Sequence, residues 1–391
     1  MRPPCLRFAL GAIMATISIL PTTGAQPAPH RPGLGAVLTT ADGGQVYGFD
    51  IDQAGTDGVL ASAQTIDDQG DVRVSMETFD EDTGAITKSF AVYTGPRNSY
   101  AVDGIFAGDV ALVTHFVTPK GSIYARRVYE VMNPVTAEAF TGAWTPPLAD
   151  IDVQQAAENQ ATATGLAFAI ELKHQDRPVL VVSDIARNTF SNVIPLDPNL
   201  FGLADTPQLG QYTAANEAVI ALSPDAGAVG GQAPINVLIN LTTAQSTQFT
   251  GYNLGPYGAG SVNGMATDPS TGVAATTTEL NAQVEFYDLE NQTGIRAVQL
   301  PCTSNTSQLA SGEGVAVDPV HKLFLVTEPY YCAGNQGGAI VVYDERGVFV
   351  ETIPGFNFAI GEPPPSLNPA KRMGWAFSGP KGFSQLQQFF Y

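Results

Sequence analysis

Two segments of the chain, 50 residues apart, have nearly the same sequence: residues 264–279 read GMATDPSTGVAATTTE and residues 314–328 read GVAVDPVHKLFLVTE. Each begins with Gly, continues through a few apolar residues, reaches Asp-Pro, continues again and ends at Glu. Proline fixes φ and has no amide hydrogen for a β-ladder, so Asp-Pro predicts a turn between two strands. The chain therefore contains a repeated β unit.

The sequence after each copy repeats as well. Residues 283–290 (QVEFYDLE) precede NQTG and IRAVQLP, and residues 339–345 (AIVVYDE) precede RG and VFVETIPG. In both places an alternating strand ends at Tyr-Asp and a polar glycine-containing turn leads to another strand, which is typical of a β-hairpin. A fainter third copy is expected at residues 218–223, before Pro224.

One unit thus contains four short strands in about 45–50 residues, the size of a β-propeller blade. Blades arranged around an axis bury one another's faces, which a single small sheet cannot do. Candidate blades lie near residues 36–95, 100–145, 160–198, 212–252, 260–301 and 311–356. The first range has enough sequence for five strands, and residues 372–391, which look like the start of a blade at Gly374, have too little for four.

Pairing of N- and C-terminal strands in one blade explains both the surplus and the deficit. We therefore predict an all-β fold, a single β-propeller over residues 36–391, with seven blades and a ring closed by the N- and C-terminal strands. Six blades is the alternative. No linker divides this range into domains.

Residues 1–25 have the pattern of a cleavable signal peptide: Arg2 and Arg7, an apolar run over residues 8–20, then Pro21 and small residues up to Ala25. The apolar run is shorter than the roughly 20 residues that a membrane-spanning helix needs. Residues 26–35 are a proline-rich leader. We expect a secreted or periplasmic protein without a transmembrane segment after cleavage.

The chain carries a formal net charge of −19. This charge disfavours nucleic acid, because its phosphates are bound by Lys and Arg. We expect a monomer that binds a small molecule, a polysaccharide or a protein.

Cys302 and Cys332 are the two cysteines left after cleavage, and thiols in exported proteins usually pair. The first lies in the connection into the last repeat, and the second follows that repeat's second strand, so both are expected on the same rim. We predict a disulfide between them.

The same rim receives the candidate ligand-binding residues. If the innermost strands begin at Gly264 and Gly314, the Asp-Pro turns lie on one rim, and the starts of the first strands and ends of the second lie on the other. The residues placed there are Asn263, Glu279, Glu313 and Glu328, with Tyr330 nearby. Their oxygens suit Ca²⁺, and the tyrosine suits a sugar or a peptide, but solvated loop residues are the alternative.

The Asp-Pro turn followed by an apolar strand resembles exported β-propellers of the NHL-repeat, lactonase-like and gluconolactonase-like groups. The resemblance is clear over residues 212–356 and implies the fold, together with a possible central Ca²⁺. Asn263 and Glu313 occupy places comparable to metal ligands there, while an inner Asp and an N-terminal Glu have no match. No catalytic residue, metal ligand or obligatory cofactor is therefore assigned.

Three functions are compatible with this sequence. The first is a non-catalytic scaffold that binds a ligand or a protein. The alternative is a Ca²⁺-dependent lactonase-like hydrolase acting at the central channel mouth, in which the metal polarises a carbonyl. The third is a purely structural envelope protein. Zinc-ligand spacing, GxSxG and the phosphate-binding loop are all absent from the sequence.

Overall fold

The computed structural model describes residues 32–53, 55–97, 100–106, 110–117, 126–132, 151–159, 164–171, 177–184, 189–197, 208–212, 217–222, 235–250, 262–278, 283–300, 312–329, 337–358, 364–379 and 384–391. In these ranges the structure has 27 β-strands and no other numbered element. The strands form six four-stranded sheets and one three-stranded sheet. Every pairing is antiparallel, which confirms the all-β prediction.

We number the sheets in chain order. Sheet 1 contains β2 (Gln45–Ile51), β3 (Asp57–Thr65), β4 (Asp71–Asp80) and β5 (Ile86–Pro96). Sheet 2 contains β6 (Tyr100–Phe106), β7 (Val110–Val117) and β8 (Arg126–Met132). Sheet 3 contains β9 (Ile151–Asn159), β10 (Thr164–Glu171), β11 (Arg177–Asp184) and β12 (Thr189–Pro195). In each sheet the strands are hydrogen-bonded in chain order.

The next three sheets follow the same plan. Sheet 4 contains β13 (Gln208–Tyr212), β14 (Glu217–Leu222), β15 (Ile235–Asn240) and β16 (Ser246–Thr250). Sheet 5 contains β17 (Val262–Thr267), β18 (Val273–Thr278), β19 (Gln283–Asp288) and β20 (Thr293–Gln299). Sheet 6 contains β21 (Val315–Asp318), β22 (Leu323–Glu328), β23 (Gly338–Asp344) and β24 (Phe349–Phe356).

Sheet 7 joins the two ends of the described chain. It contains β25 (Ser366–Asn368), β26 (Met373–Ser378), β27 (Gln385–Phe390) and, at its outer side, β1 (Gly33–Leu38). In the β1–β27 pairing Gly33 lies opposite Phe390 and Leu38 opposite Leu386. The N-terminal strand therefore supplies the fourth strand that the C-terminal segment lacks.

The first strands of the sheets contact one another in a circular order: β2, β6, β9, β13, β17, β21, β25 and β2 again. The sheets thus stand side by side around an axis, each with its first strand innermost. Hydrophobic clusters lie between neighbouring sheets rather than inside any one of them. Phe286 of sheet 5 packs with Phe324 and Tyr343 of sheet 6, and Trp375 of sheet 7 packs with Phe79 of sheet 1.

The two quoted segments fold as the sequence predicts. β17 and β21 end at the Asp-Pro turns and pair with β18 and β22, and β19–β20 and β23–β24 form the predicted second hairpins. The first five strands span residues 33–96, which confirms the predicted surplus. β1 begins at Gly33, slightly before the predicted start of the propeller at residue 36.

Two predictions about the position of a strand within its sheet are wrong. The faint third copy at residues 218–223 lies in β14, which is the second strand of its sheet and not the first. Gly374 likewise lies in β26, a second strand, because the first strand of that sheet is the short β25. Second strands are buried on both faces, so their apolar runs look like those of first strands.

Candidate functional site

The two rims of the ring differ in the length of their connections. We call the rim at which β17 and β21 end the bottom rim, and the opposite one the top rim. Connections at the bottom rim are three to five residues long. Every longer connection, apart from residues 133–150 that lead out of sheet 2, joins strand ends at the top rim. The four longest of these have 11 to 15 residues and span residues 196–207, 223–234, 251–261 and 300–314.

The short bottom turns use their polar groups internally. The Asp318 carboxylate accepts hydrogen bonds from the amides of Val320 and His321, both at 2.9 Å, and from the Tyr391 hydroxyl at 3.0 Å. Lys322 donates to Asp268 of the neighbouring sheet at 2.7 Å. In the same way Lys371 donates to the buried Glu81 at 2.7 Å. These side chains hold adjacent sheets together, so few of them remain for a partner.

At the top rim, side chains of sheet 5 donate hydrogen bonds to the backbone carbonyls that precede β21 of sheet 6. Asn263 donates from Nδ2 to the Gly312 carbonyl at 3.2 Å, and the Thr277 hydroxyl donates to the Glu313 carbonyl at 2.7 Å. A Cβ on Gly264 would stand 2.5 Å from that carbonyl oxygen, so glycine is required for the close approach. These hydrogen bonds fix the entry of the chain into β21 against the top of β17 and β18.

Glu328 is buried between two sheets instead of facing the ring mouth. Its exposed fraction is 0%, and it follows Phe324 and Val326 on the face of β22 that packs against sheet 5. Among the described residues neither carboxylate oxygen has a hydrogen-bond partner. Burial raises the pKa of Glu328 to about 8, so the carboxyl is protonated at neutral pH. A neutral carboxyl in such a place is a weak ligand for a cation.

Tyr343 lies on the same interface. Its hydroxyl also lacks a partner among the described residues, and burial followed by the nearby Glu328 charge raises its pKa. The interface between sheets 5 and 6 therefore contains two buried polar groups amid aromatic and aliphatic side chains.

The other predicted site residues have mixed outcomes. Glu313 is 3% exposed, so it is buried rather than solvated, and Asn263 is partly exposed. Glu279, Tyr330, Cys302 and Cys332 lie outside the described residues. Their ligand-binding and disulfide roles stay predictions. No group of three or more His, Cys, Asp or Glu side chains suited to a metal occurs in the described part of the chain.

Sequence reasoning did not identify another buried acid, Glu285. It accepts a short hydrogen bond from the Tyr287 hydroxyl, and Thr276 lies 3.5 Å from the same hydroxyl. Burial, followed by the Glu285 charge, raises the pKa of Tyr287. The only sequence signal for this pair was its spacing. Glu285 and Tyr287 alternate with Val284 and Phe286, so the two pairs lie on opposite faces of β19.

Comparison with known proteins places the fold among β-propellers. No protein-family model and no curated protein sequence matches the chain. Among solved structures, the WD40 repeats of RRP9 superpose with a TM-score of 0.57 at 10% identity, covering 92% of this chain and 99% of that one. The β-propeller domain of Cps50 (Swd1) from Myceliophteria thermophila gives 0.54 at 10% identity, covering 92% and 100%.

The chain has the β-propeller fold. The first of these structures is described as WD40 repeats and the second as a β-propeller domain, so they support the propeller part of the resemblance stated above and not its NHL-repeat or lactonase-like part. At this level of identity the likeness concerns the fold alone. The described residues contain no helix that is long and apolar enough to cross a membrane.

Proposed function

We propose that this protein is an exported, non-catalytic β-propeller that binds a ligand or a protein at its top rim. The difference between the two rims carries this proposal. Binding residues are disproportionately found on long loops held by a rigid scaffold, and here all of the long connections except residues 133–150 join strand ends at the top rim. Apart from residues 133–150, the connections at the bottom rim are turns of three to five residues, in which Lys322 and Lys371 pair with acids of the neighbouring sheets.

We further propose that the ring has seven blades and is closed by β1. Seven sheets, the circular contacts of the first strands and the pairing of β1 with β27 support this arrangement. Closure matters for binding, since a closed ring keeps the loop ends at fixed distances from one another. A preorganised surface loses less conformational entropy when a partner binds.

Export is the second part of the proposal, and the N-terminal sequence supports it. Residues 1–25 have the basic start, apolar centre and small residues of a signal peptide. Expression in a secreting host should yield a chain that begins at Gln26, as read by N-terminal sequencing. A full-length chain retained inside the cell would contradict export and leave the binding proposal untouched.

Site-specific photo-cross-linking tests the binding surface. A photoreactive phenylalanine is placed at Tyr330, which follows the end of β22 by two residues in the sequence, and separately at Val320, a bottom-turn side chain that is 66% exposed. Each protein is illuminated with the secreted and envelope fraction of the source cells. We expect cross-linked products from the Tyr330 position and few from Val320. Cross-linking at Val320 alone would overturn the choice of rim.

A further inference from the structure

The outer edges of the sheets differ in how they are protected against pairing with another chain. An outermost strand has unpaired backbone groups along one side, which makes it a template for strand addition. Natural sheets block such edges with breaks in register, with charged side chains or with proline. Each outermost strand of the described sheets can be checked for these three features.

Six of the seven outermost strands carry at least one of them. β5, β12, β20, β24 and β1 all have a break in register against their neighbours, and β8 is regular but charged. The charged residues and prolines in these six strands are Lys88 and Pro96 in β5, Arg126, Arg127 and Glu130 in β8, Pro195 in β12, Arg296 in β20, and Glu351 and Pro354 in β24.

β16 has none of the three. Its residues pair with β15 in unbroken register, from Ser246 opposite Ile239 to Thr250 opposite Ile235. Its sequence, STQFT, contains no charge and no proline, and residues 242–248 form a continuous exposed and uncharged stretch. Phe249 packs edge-on against Tyr287 of sheet 5 at 5.8 Å between ring centroids, which anchors the strand.

We propose that β16 is an association edge at which a second copy of this chain adds its own β16 in antiparallel fashion. The sequence favours self-pairing. With Gln248 opposite its own copy, Thr247 lies opposite Phe249 and Ser246 opposite Thr250. All these pairs are uncharged, and the β-branched and aromatic residues among them favour cross-strand pairing. The result is a two-fold symmetric dimer.

Charge favours this edge over the charged strands β5, β8, β20 and β24, while the uncharged β1 and β12 differ from it by their breaks in register. The chain carries a net charge of −19, so two copies repel each other over most of their surface. The same self-pairing at β20 or β24 would bring Arg296 or Glu351 close to its own copy. β16 with its preceding turn is a neutral strip where two copies approach without opposed like charges.

The strand is only five residues long, so the dimer is expected to be weak and concentration-dependent. It lies on the circumference of the ring, and therefore leaves the top rim accessible. This inference goes beyond the proposed binding function and does not depend on it. It departs from the monomer that we expected from the sequence.

Sedimentation equilibrium of the mature protein tests the inference. We expect the average mass to rise from the monomer value toward twice that value over a concentration range of about 1–300 µM, since small interfaces give weak association. Raising the salt concentration should strengthen association, because it screens the repulsion between two acidic copies. A chain that stays monomeric throughout this range in high salt would overturn the proposal.

A matched pair of variants locates the interface. Gln248→Lys places two lysines opposite each other at the two-fold axis and should abolish the rise in mass. Thr94→Lys adds the same charge to an exposed position of the protected strand β5, in a sheet that does not adjoin sheet 4, and should leave the rise unchanged. Both variants are compared with the parent by thermal unfolding, to show that they fold.

Cross-linking gives a second, independent readout. The cysteine in Gln248→Cys should form a covalent dimer on mild oxidation, and the one in Thr94→Cys should not. The parent chain measures the background from Cys302 and Cys332. A dimer that persists in Gln248→Lys, or that forms equally well through position 94, would show that the interface lies elsewhere.

Discussion

At the scale of single residues, the bottom-rim turns depend on two positions. An Asp or Asn at the start accepts backbone amides, as Asn240 does from Thr242 and Thr243 at 3.0 and 2.9 Å. In six of the described turns the backbone takes a positive φ four residues later, a conformation for which only glycine has no steric cost. Ala244, with φ of 58°, fills that position in the turn after β15. The Asp or Asn at the first position predicted several of these turns from the sequence. The residue with positive φ could be recognised only from the backbone angles of the structure.

Ala244→Gly should therefore raise the free energy of unfolding by about 1 kcal/mol, because it removes the strain of a positive φ. Gly43→Ala is the opposite change: Gly43 has φ of 72°, and no atom lies within 4 Å of an added Cβ. It should lower the same free energy by about 1 kcal/mol through backbone strain alone. Urea unfolding of both variants checks the opposite signs, and two changes of equal sign would contradict the argument.

Glu328 gives a pH-dependent prediction at the same scale. Its pKa is about 8 in the folded protein, raised by burial from the ordinary glutamate value of 4.5. Between these values the folded state keeps a proton that the unfolded state has released. Stability from this group is therefore highest below about pH 4.5, falls as pH rises, and levels off above about pH 8. The total loss is at most about 5 kcal/mol, from about 1.4 kcal/mol per pKa unit.

Glu328→Gln removes the titration and keeps the shape of the side chain. The variant and the parent should be similarly stable at pH 4.5, and the variant should be more stable at pH 8. Urea unfolding at intermediate pH values measures the difference. If the two proteins lose stability in parallel as pH rises, Glu328 is not a neutral buried carboxyl.

At the scale of strands, the sequence predicted hairpins better than it predicted places within a sheet. The Asp-Pro turns locate β17–β18 and β21–β22, because proline restricts the backbone wherever it occurs. A second strand such as β26 is buried on both faces, so its apolar run carries no alternation. Gly374 looked like a strand start, but a Cβ there would stand 2.6 Å from the Phe389 ring. Close packing against Phe389 requires glycine at position 374, and the glycine does not mark the start of a strand.

The same reasoning explains the outcome for the candidate site. Asn263 and Glu313 were placed near the top rim because the repeat fixes the direction of their strands. The sequence did not show that Glu328 points inward, since an acid at the end of a strand usually faces solvent. Both faces of β22 are apolar, and only the neighbouring sheet shows that Glu328 is buried.

The ion pair between Lys322 of sheet 6 and Asp268 of sheet 5 gives a prediction about the stability of the contact between two sheets. Burial favours a raised pKa for Asp268, but hydrogen bonds from Lys322 and Ser270 lower it, so the carboxylate is charged. Lys322→Met would leave this buried charge without its cation and should cost about 2–3 kcal/mol of unfolding free energy. Arg346→Met is the control: the Arg346 side chain is 81% exposed in its pair with Asp344, and its loss should cost less than about 1 kcal/mol. Equal losses, measured by urea unfolding, would contradict a special role for Lys322.

At the scale of the whole molecule, stability rests on every sheet having two neighbours. The hydrophobic clusters lie between sheets, as those joining sheets 5 and 6 and sheets 7 and 1 show. A ring with a gap would expose two such faces to water. The pairing of β1 with β27 brings the two ends of the described chain together, 352 residues apart for Ala36 and Gln388. We propose that the N-terminal strand helps to hold the ring together.

Removal of β1 tests this dependence. A chain that begins at residue 39 lacks Leu38, which is 1% exposed among Val46, Phe79 and Trp375, and lacks the Gly35 and Ala36 carbonyls that accept from Gln387. It should lose at least about 3 kcal/mol and unfold at a lower temperature, in a broader transition, because one buried Leu alone is worth about 2–5 kcal/mol. A chain that begins at residue 32 retains β1 and should unfold like one that begins at Gln26. Calorimetry on the three chains measures the effect. If the chain that begins at residue 39 keeps the unfolding temperature of the other two, β1 does not close the ring, and the seven-bladed arrangement would have to be held by its other contacts.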